Sequence, residues 1–153
     1  MDPGNPVGAL TFLFTDIEGS TSLWEQDSLR MRDALAQHNA LARAAVDAHR
    51  GTLVKLTGDG VYAVFVDSLD ALNATLDLQR SLTDPAATAG VLLPVRCGLH
   101  IGDATESDDD YVGVSVNRAA RIMGAAHGGQ ILMSQAVADA VGARLPGEVS
   151  LRD

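Results

Sequence analysis

The sequence predicts an α/β (α+β) sandwich on a ferredoxin-like βαββαβ plan with an antiparallel hairpin at its centre. Three observations lead there. The elements read in the order β-α-ββ-α-β-α-β. Thr57-Gly58-Asp59-Gly60 separates two β-prone runs, a strong hairpin signal. Pro94–Gly102 alternates Val95, Cys97, Leu99 and Ile101 with Arg96, Gly98, His100 and Gly102, the pattern of a half-buried strand. A doubly wound parallel sheet is disfavoured, because the hairpin interrupts the strand–helix alternation.

Taken in order, Leu10–Ile17 is apolar and reads as a buried strand after a Pro/Gly-rich lead over residues 1–9. Ser22 followed by Glu25 fits a capping box, which would start a helix there. From Ser28 to Arg50 the pattern is helical, with Met31, Leu35, Leu41, Ala45 and Ala48 on one side and Gly51 as the stop. Thr52–Leu56 and Val61–Val66 form the hairpin strands. Ser68–Leu82 is a second helix ended by Pro85. A polar loop follows the Pro94–Gly102 strand. Then come a helix over Val114–Ala125, a strand over Gln130–Met133 and a helix over Gln135–Val141.

Composition narrows the function classes. The chain has 153 residues, 46% of them hydrophobic, which suits one soluble domain with a core. Aromatics make up only 4% and the net charge is −9, so a nucleic-acid partner is not expected. A triphosphate would need metal ions and locally placed Lys or Arg. Cys97 is the one cysteine, which excludes an internal disulfide and a cysteine metal cluster. No apolar run reaches the roughly 20 residues of a spanning helix, and MDPGNPVG lacks the regions of a signal peptide. The expected location is cytoplasmic.

Chemistry concentrates in three stretches. LFTDIEGST, at Leu13–Thr21, and KLTGDG, at Lys55–Gly60, each place an aspartate where an apolar run meets glycine. Mg²⁺ is typically held by one or two carboxylates, with substrate phosphates completing its shell. Asp16 alone reads more readily as a turn cap, and Asp59 alone as a hairpin residue; the pair raises the metal reading above either. Gly19-Ser20-Thr21 enters a helix N-terminus, where backbone N–H groups can cradle phosphate. In a regular hairpin Lys55 shares a face with Leu53 and Thr57, and it reads either as an edge lysine reaching water or as half of a pair. In DYVGVSVNRAAR, Asp110–Arg121, the residues Val116, Ala119, Ala120 and Met123 form a packing stripe. Asn117 and Arg121, four apart, share the adjacent face and suit either a structural link or sugar and phosphate oxygens. Asp108 and Asp109 read as a solvated loop.

FTDIEGSTSLWE, KLTGDGVYAVF, GLHIGD and DYVGVSVNRAARI together resemble, in order, the signatures of class III nucleotide cyclase catalytic domains, most closely the compact bacterial subtype. The resemblance runs from Thr11 to about Asp153. It implies the class III cyclase fold, with residues 10–153 as the catalytic domain and its last strand cut short. It implies that Asp16, Asp59 and the carbonyl of Ile17 hold two divalent ions, Mg²⁺ or Mn²⁺. Lys55 and Asp110 match the pair that reads the purine, with Lys donating to adenine N1 and Asp accepting from the amine, which favours ATP over GTP. Asn117 matches the ribose-orienting residue and Arg121 the one that stabilises charge on the reacting phosphate. Arg152, in GEVSLRD, would be the basic residue of a terminal strand that holds the outer phosphates. The resemblance further implies a head-to-tail homodimer with composite sites, and regulatory domains in a longer parent chain. The rival readings are a catalytically silent cyclase-like sensor or dimerisation module and a cyclase with relaxed ATP/GTP selectivity. A haloacid-dehalogenase-type phosphatase is rejected, since Glu18 stands where that chemistry wants a second aspartate.

Overall fold

The computed structural model of the protein describes residues 4–153. The core follows the expected plan. Strand β1 (Asn5–Ile17) leads through α1 (Ser20–Gln26) and α2 (Ser28–Ala48) to the hairpin β2 (Thr52–Thr57) and β3 (Gly60–Phe65). Then α3 (Ser68–Ser81) crosses to β4 (Val95–Ser107). The sheet order is β2-β3-β1-β4-β5, antiparallel throughout, with β5 spanning Asp110–Val112. Beyond it, α4 (Val114–Gly124), β6 (Ile131–Met133) and α5 (Gln135–Val141) complete the chain's elements, and β6 pairs with β4 in parallel.

Two apolar clusters sit on opposite faces of this sheet. Leu13, Ile17, Ala63, Phe65, Val95, Cys97 and Leu99 pack against α2, α3 and α5 in the larger one. Phe12, Tyr62, Val64 and Ala104 pack against Val116 and Ala119 of α4 in the smaller one. Strand β4 is therefore covered on both faces, not half-buried as its alternation predicts. Its polar-looking positions are the reason. A Cβ on Gly98 would lie 2.3 Å from the Met123 backbone nitrogen, and one on Gly102 would lie 2.1 Å from the Ser115 hydroxyl. The glycines mark the track along which α4 lies on the strand, and a helix covers what the alternation assigns to water.

Local chemistry explains the other departures. Strand β1 begins at Asn5, inside the predicted lead, and shifts register between Pro6 and Ala9 against β4. Helix α1 starts at Ser20, not at a Ser22 capping box: its N-cap is Gly19 at φ 70, without a side-chain cap. The buried stripe of α2 is Met31, Ala34, His38, Ala42, Ala45 and Val46, so Leu35 and Leu41 pack only at its margin and Ala48 is exposed. Gly51 does stop that helix, donating to the Val46 carbonyl at 3.0 Å. Yet the left-handed residue is Arg50, at φ 59. Gly51 is required by space, since a Cβ there would meet Phe65 at 2.4 Å. The expected loop after β4 is a hairpin instead. Asp108 and Asp109, both exposed, turn at φ 52 and 62, the double positive φ of a tight two-residue turn.

Candidate active site

Asp16 is the last-but-one residue of β1, on the face that α2 and α3 leave free, two positions beyond Phe14. Its register partners are Gly60 on β3 and Arg96 on β4. Asp59 occupies the β2–β3 turn, and its carbonyl accepts from the Ile17 amide at 3.1 Å, so the turn is tied to the end of β1. That approach depends on Gly60, where a Cβ would lie 2.3 Å from the Thr15 carbonyl oxygen. The two predicted metal carboxylates thus come from adjoining strand ends, and both act on the same guanidinium, that of Arg96. Among the described residues no group of three or more His, Cys, Asp or Glu side chains is placed to hold a metal. The donor set still fits a hard cation that relies on phosphate oxygens to finish its shell: two carboxylates from adjoining strand ends, with one oxygen of Asp59 unbonded among the described residues.

Two partners hold these carboxylates. Arg96 donates from Nε to Asp16 Oδ1 at 2.6 Å and from Nη2 to Oδ2 at 2.5 Å, a bidentate fork with both side chains 24% exposed. Its Nη1 reaches the Gly124 carbonyl at the end of α4, at 3.3 Å. The hydrogen bonds and charge of Asp16 push the Arg96 pKa still higher. Ser20 Oγ donates to Asp59 Oδ2 at 2.7 Å. Of the predicted phosphate cradle, Gly19 caps α1 and Thr21 lies in its first turn, but the Ser20 hydroxyl is turned to Asp59. Glu18 is tied away, accepting from the Gly128 amide at 3.3 Å.

A second group lies further along the same face of the sheet. Lys55 Nζ donates to Asp110 Oδ2 at 3.0 Å, joining the edge strand β2 to β5. Lys55 does not share a face with Leu53. The β2–β3 register shifts between them, so Leu53 opposes Ala63 on the large-core side while Lys55 opposes Tyr62 on the other. The Lys55 ammonium stands 5.9 Å from the centroid of the Tyr62 ring, which stacks on Phe14 with centroids 4.3 Å apart. The Tyr62 hydroxyl donates to the Tyr111 carbonyl at 3.1 Å, anchoring β5 and with it Asp110. Burial, helped by the Asp110 charge, pushes the Tyr62 pKa up, so the phenol keeps its donor proton. Helix α4 follows directly. Asn117 and Arg121 are exposed on it, and neither side chain bonds to another described residue.

Arg152 does not join either group. Residues after Arg144 form no strand, and Arg152 lines a cavity with Leu72, Leu76, Met133 and Ala138, between α3, β6 and α5. The terminal strand expected to carry Arg152 is thus not formed among the described residues. The cation that bonds Asp16, Arg96, is the residue sequence reasoning missed. Its sequence signal is an arginine within the alternation Val95-Arg96-Cys97-Gly98, on the face of β4 that also carries Gly98, His100 and Gly102. The four histidines remain structural in setting. His38 is fully buried with Nδ1 on Asn39, and burial lowers its pKa. His100 lies buried on the β4 face that α4 covers. His49 bonds Asp77 and His127 approaches Glu18.

Comparison with known proteins identifies the family. The family described as adenylate and guanylate cyclase catalytic domain matches residues 3–150. An uncharacterized Mycobacterium tuberculosis protein, Rv0891c, is 37% identical over 150 residues, which cover 97% of this chain and 50% of that protein. The chain thus spans half the length of that relative. An adenylate cyclase of Lachancea kluyveri is 35% identical across 84% of this chain and 8% of its own. Among solved structures, the adenylyl cyclase CyaB from P. aeruginosa superposes with a TM-score of 0.81 at 24% identity, covering 92% of this chain and 84% of that one. The last likeness establishes the fold.

Proposed function

The chain belongs to the adenylate and guanylate cyclase catalytic domain family, and from that premise we propose that it is an adenylate cyclase acting as a symmetric homodimer. ATP is converted to 3′,5′-cyclic AMP and pyrophosphate. The ribose 3′-oxygen bonds to the α-phosphorus, its proton passes to solvent, and the bridging oxygen to the β-phosphorus departs with pyrophosphate. The catalytic unit is residues 10–153 together with the start of β1, in the cytoplasm. Among the described residues no helix is long and apolar enough to cross a membrane.

One observation carries the choice of ATP: the Lys55–Asp110 pair, at 3.0 Å. It presents a donor beside an acceptor, complementary to adenine N1 and its exocyclic amine. Guanine offers a protonated N1 and a carbonyl at the same edge, so it meets two like-for-like clashes. The Tyr62–Tyr111 bond and the Phe14–Tyr62 stack keep that pair in place from below.

Held by Asp16, Asp59 and the Ile17 carbonyl, two Mg²⁺ or Mn²⁺ ions would supply the acidity that makes the 3′-hydroxyl nucleophilic and the positive charge that offsets the phosphates. Ser20 orients Asp59 for this task. Arg96, adjoining both carboxylates, supplies a fixed positive charge on the phosphate side. Asn117 orients the ribose, and Arg121 stabilises charge on the reacting phosphate electrostatically. Their lack of partners among the described residues supports a site completed by a second copy, in which a two-fold pairing would bring α4 of one protomer to the strand ends of the other. Exposed Val112 and Val114, 47% and 68% accessible, flank the same helix start and suit such an interface.

The test is product analysis after incubation with ATP or GTP and Mg²⁺ or Mn²⁺, with Asp16→Ala alongside. Cyclic AMP from ATP that disappears in Asp16→Ala supports the reading. Cyclic GMP as the main product overturns the purine assignment. Absence of any cyclic product from a demonstrated dimer favours a silent module.

A further inference from the structure

Resting on the reading of Asp16 and Asp59 as metal carboxylates, we propose that Arg96 competes with a divalent ion for Asp16. The first ion is then taken through Asp59, and Asp16 becomes available only when a polyphosphate draws Arg96 away. The two carboxylates are held in different ways. Both oxygens of Asp16 are engaged by the Arg96 fork, at 2.6 and 2.5 Å. Asp59 gives one oxygen to the neutral Ser20 hydroxyl at 2.7 Å, and its Oδ1 has no partner among the described residues.

A cation approaching Asp16 therefore meets a fixed positive charge already in contact with both donor oxygens. Arginine cannot relieve this by losing its proton. Nor is the guanidinium free to swing into water without loss: it is only 24% exposed, and its Nη1 is tethered to the Gly124 carbonyl. At Asp59 the existing bond is no obstacle. A hydroxyl on Oδ2 fixes the carboxylate's orientation and leaves Oδ1 to a metal.

A polyphosphate changes the balance at Asp16. Its oxygens offer the guanidinium a bidentate partner of higher charge than a single carboxylate. Once Arg96 has that partner, Asp16 is released to a cation. Metal and polyphosphate binding must then favour each other, by equal factors in both directions. Arg96 is in this sense a positioning residue that orders the assembly of the site, apart from any contact it makes with substrate.

The experiment measures Mn²⁺ binding by electron paramagnetic resonance, without turnover, in the wild-type protein, Arg96→Met and Arg96→Lys. Each is studied with and without inorganic tripolyphosphate, after thermal unfolding has shown each variant folded. Arg96→Met should bind a second Mn²⁺ in the absence of tripolyphosphate at least about tenfold more tightly than wild type, within the usual range of coupling between sites. Tripolyphosphate should tighten Mn²⁺ binding in wild type and much less in Arg96→Met, with Arg96→Lys between them, because a lysine keeps the charge without the fork. Equal Mn²⁺ affinity in wild type and both variants overturns this proposal while leaving the metal reading intact. Failure of every protein to take up Mn²⁺, with or without tripolyphosphate, overturns both.

Discussion

Mixing two inactive variants gives the sharpest test of the shared site. Asp59→Ala removes a carboxylate from the strand-end group, and Arg121→Ala removes a cation of α4 that bonds no other described residue. Each homodimer then carries the same lesion in both of its sites. Let the two proteins exchange subunits at equal amounts. Half of the dimers become mixed, and in each of these one site collects both lesions while the other collects none. Of all sites, about one in four is intact, so cyclic AMP formation should recover to about a quarter of the wild-type rate at equal total protein. The arrangement also dictates the control. Asp16→Ala mixed with Asp59→Ala puts one lesion in every strand-end group, and no combination restores a site. The assay is chromatographic detection of cyclic AMP after mixing, with exchange followed by energy transfer between labelled subunits. Demonstrated exchange without recovery, or recovery in the Asp16/Asp59 control, refutes the two-protomer site.

Gly98→Ala should drive a Cβ into the Met123 backbone, 2.3 Å away, and lower stability by about 1–3 kcal/mol in thermal unfolding, with activity lost as α4 shifts. Lys55→Ala should lower kcat/KM for ATP by roughly 10- to 150-fold, the range of a lost charged hydrogen bond, and should affect GTP less. His38 is buried neutral with its pKa lowered by burial, so the unfolded chain binds the extra proton. Its contribution is complete above the ordinary value of 6.5 and is lost as pH falls through that value towards the lowered one; His38→Leu should flatten the melting temperature over that window. Asp67, held at about 2 first by Arg144 and then by the Leu69 amide, contributes above its ordinary 3.8 and loses that contribution as pH falls towards 2; Asp67→Asn should shrink this acid step.

The topology was legible because its signals are local. The Thr57–Gly60 turn, the helix over Ser68–Ser81 and the β-α-ββ order each follow from neighbours in sequence, and the sheet order β2-β3-β1-β4 follows from their connection. What alternation could not reveal is who covers a face. Gly98 and Gly102 look like exposed positions of a half-buried strand, yet they are small because a helix lies on them. Asp16 and Asp59 stood out in sequence, but their approach depends on Gly60 and on the Ile17–Asp59 bond, which no spacing encodes. Arg96 went unrecognised for a related reason. Its role depends on lying opposite Asp16, 80 residues earlier, across a strand pairing.

The register shift in β2 shows how a small backbone irregularity allocates chemistry. In an unbroken strand, Leu53 and Lys55 would face the same way, and one of them would be misplaced. Leu53 packs on the larger core, and a lysine there would bury its charge without a partner. With Val54 as the extra residue, Leu53 stays over Ala63 while Lys55 moves over Tyr62, on the face that carries Asp16, Arg96 and α4. Val54 itself packs at the margin of the smaller cluster. The shift therefore satisfies both demands at once, and it delivers the ammonium to Asp110 at 3.0 Å. Asp59, four residues on from Lys55, caps the hairpin and bonds Ser20 instead. Two residues that neighbour each other in one short motif therefore belong to different groups. That division is what the proposed two-copy site calls for.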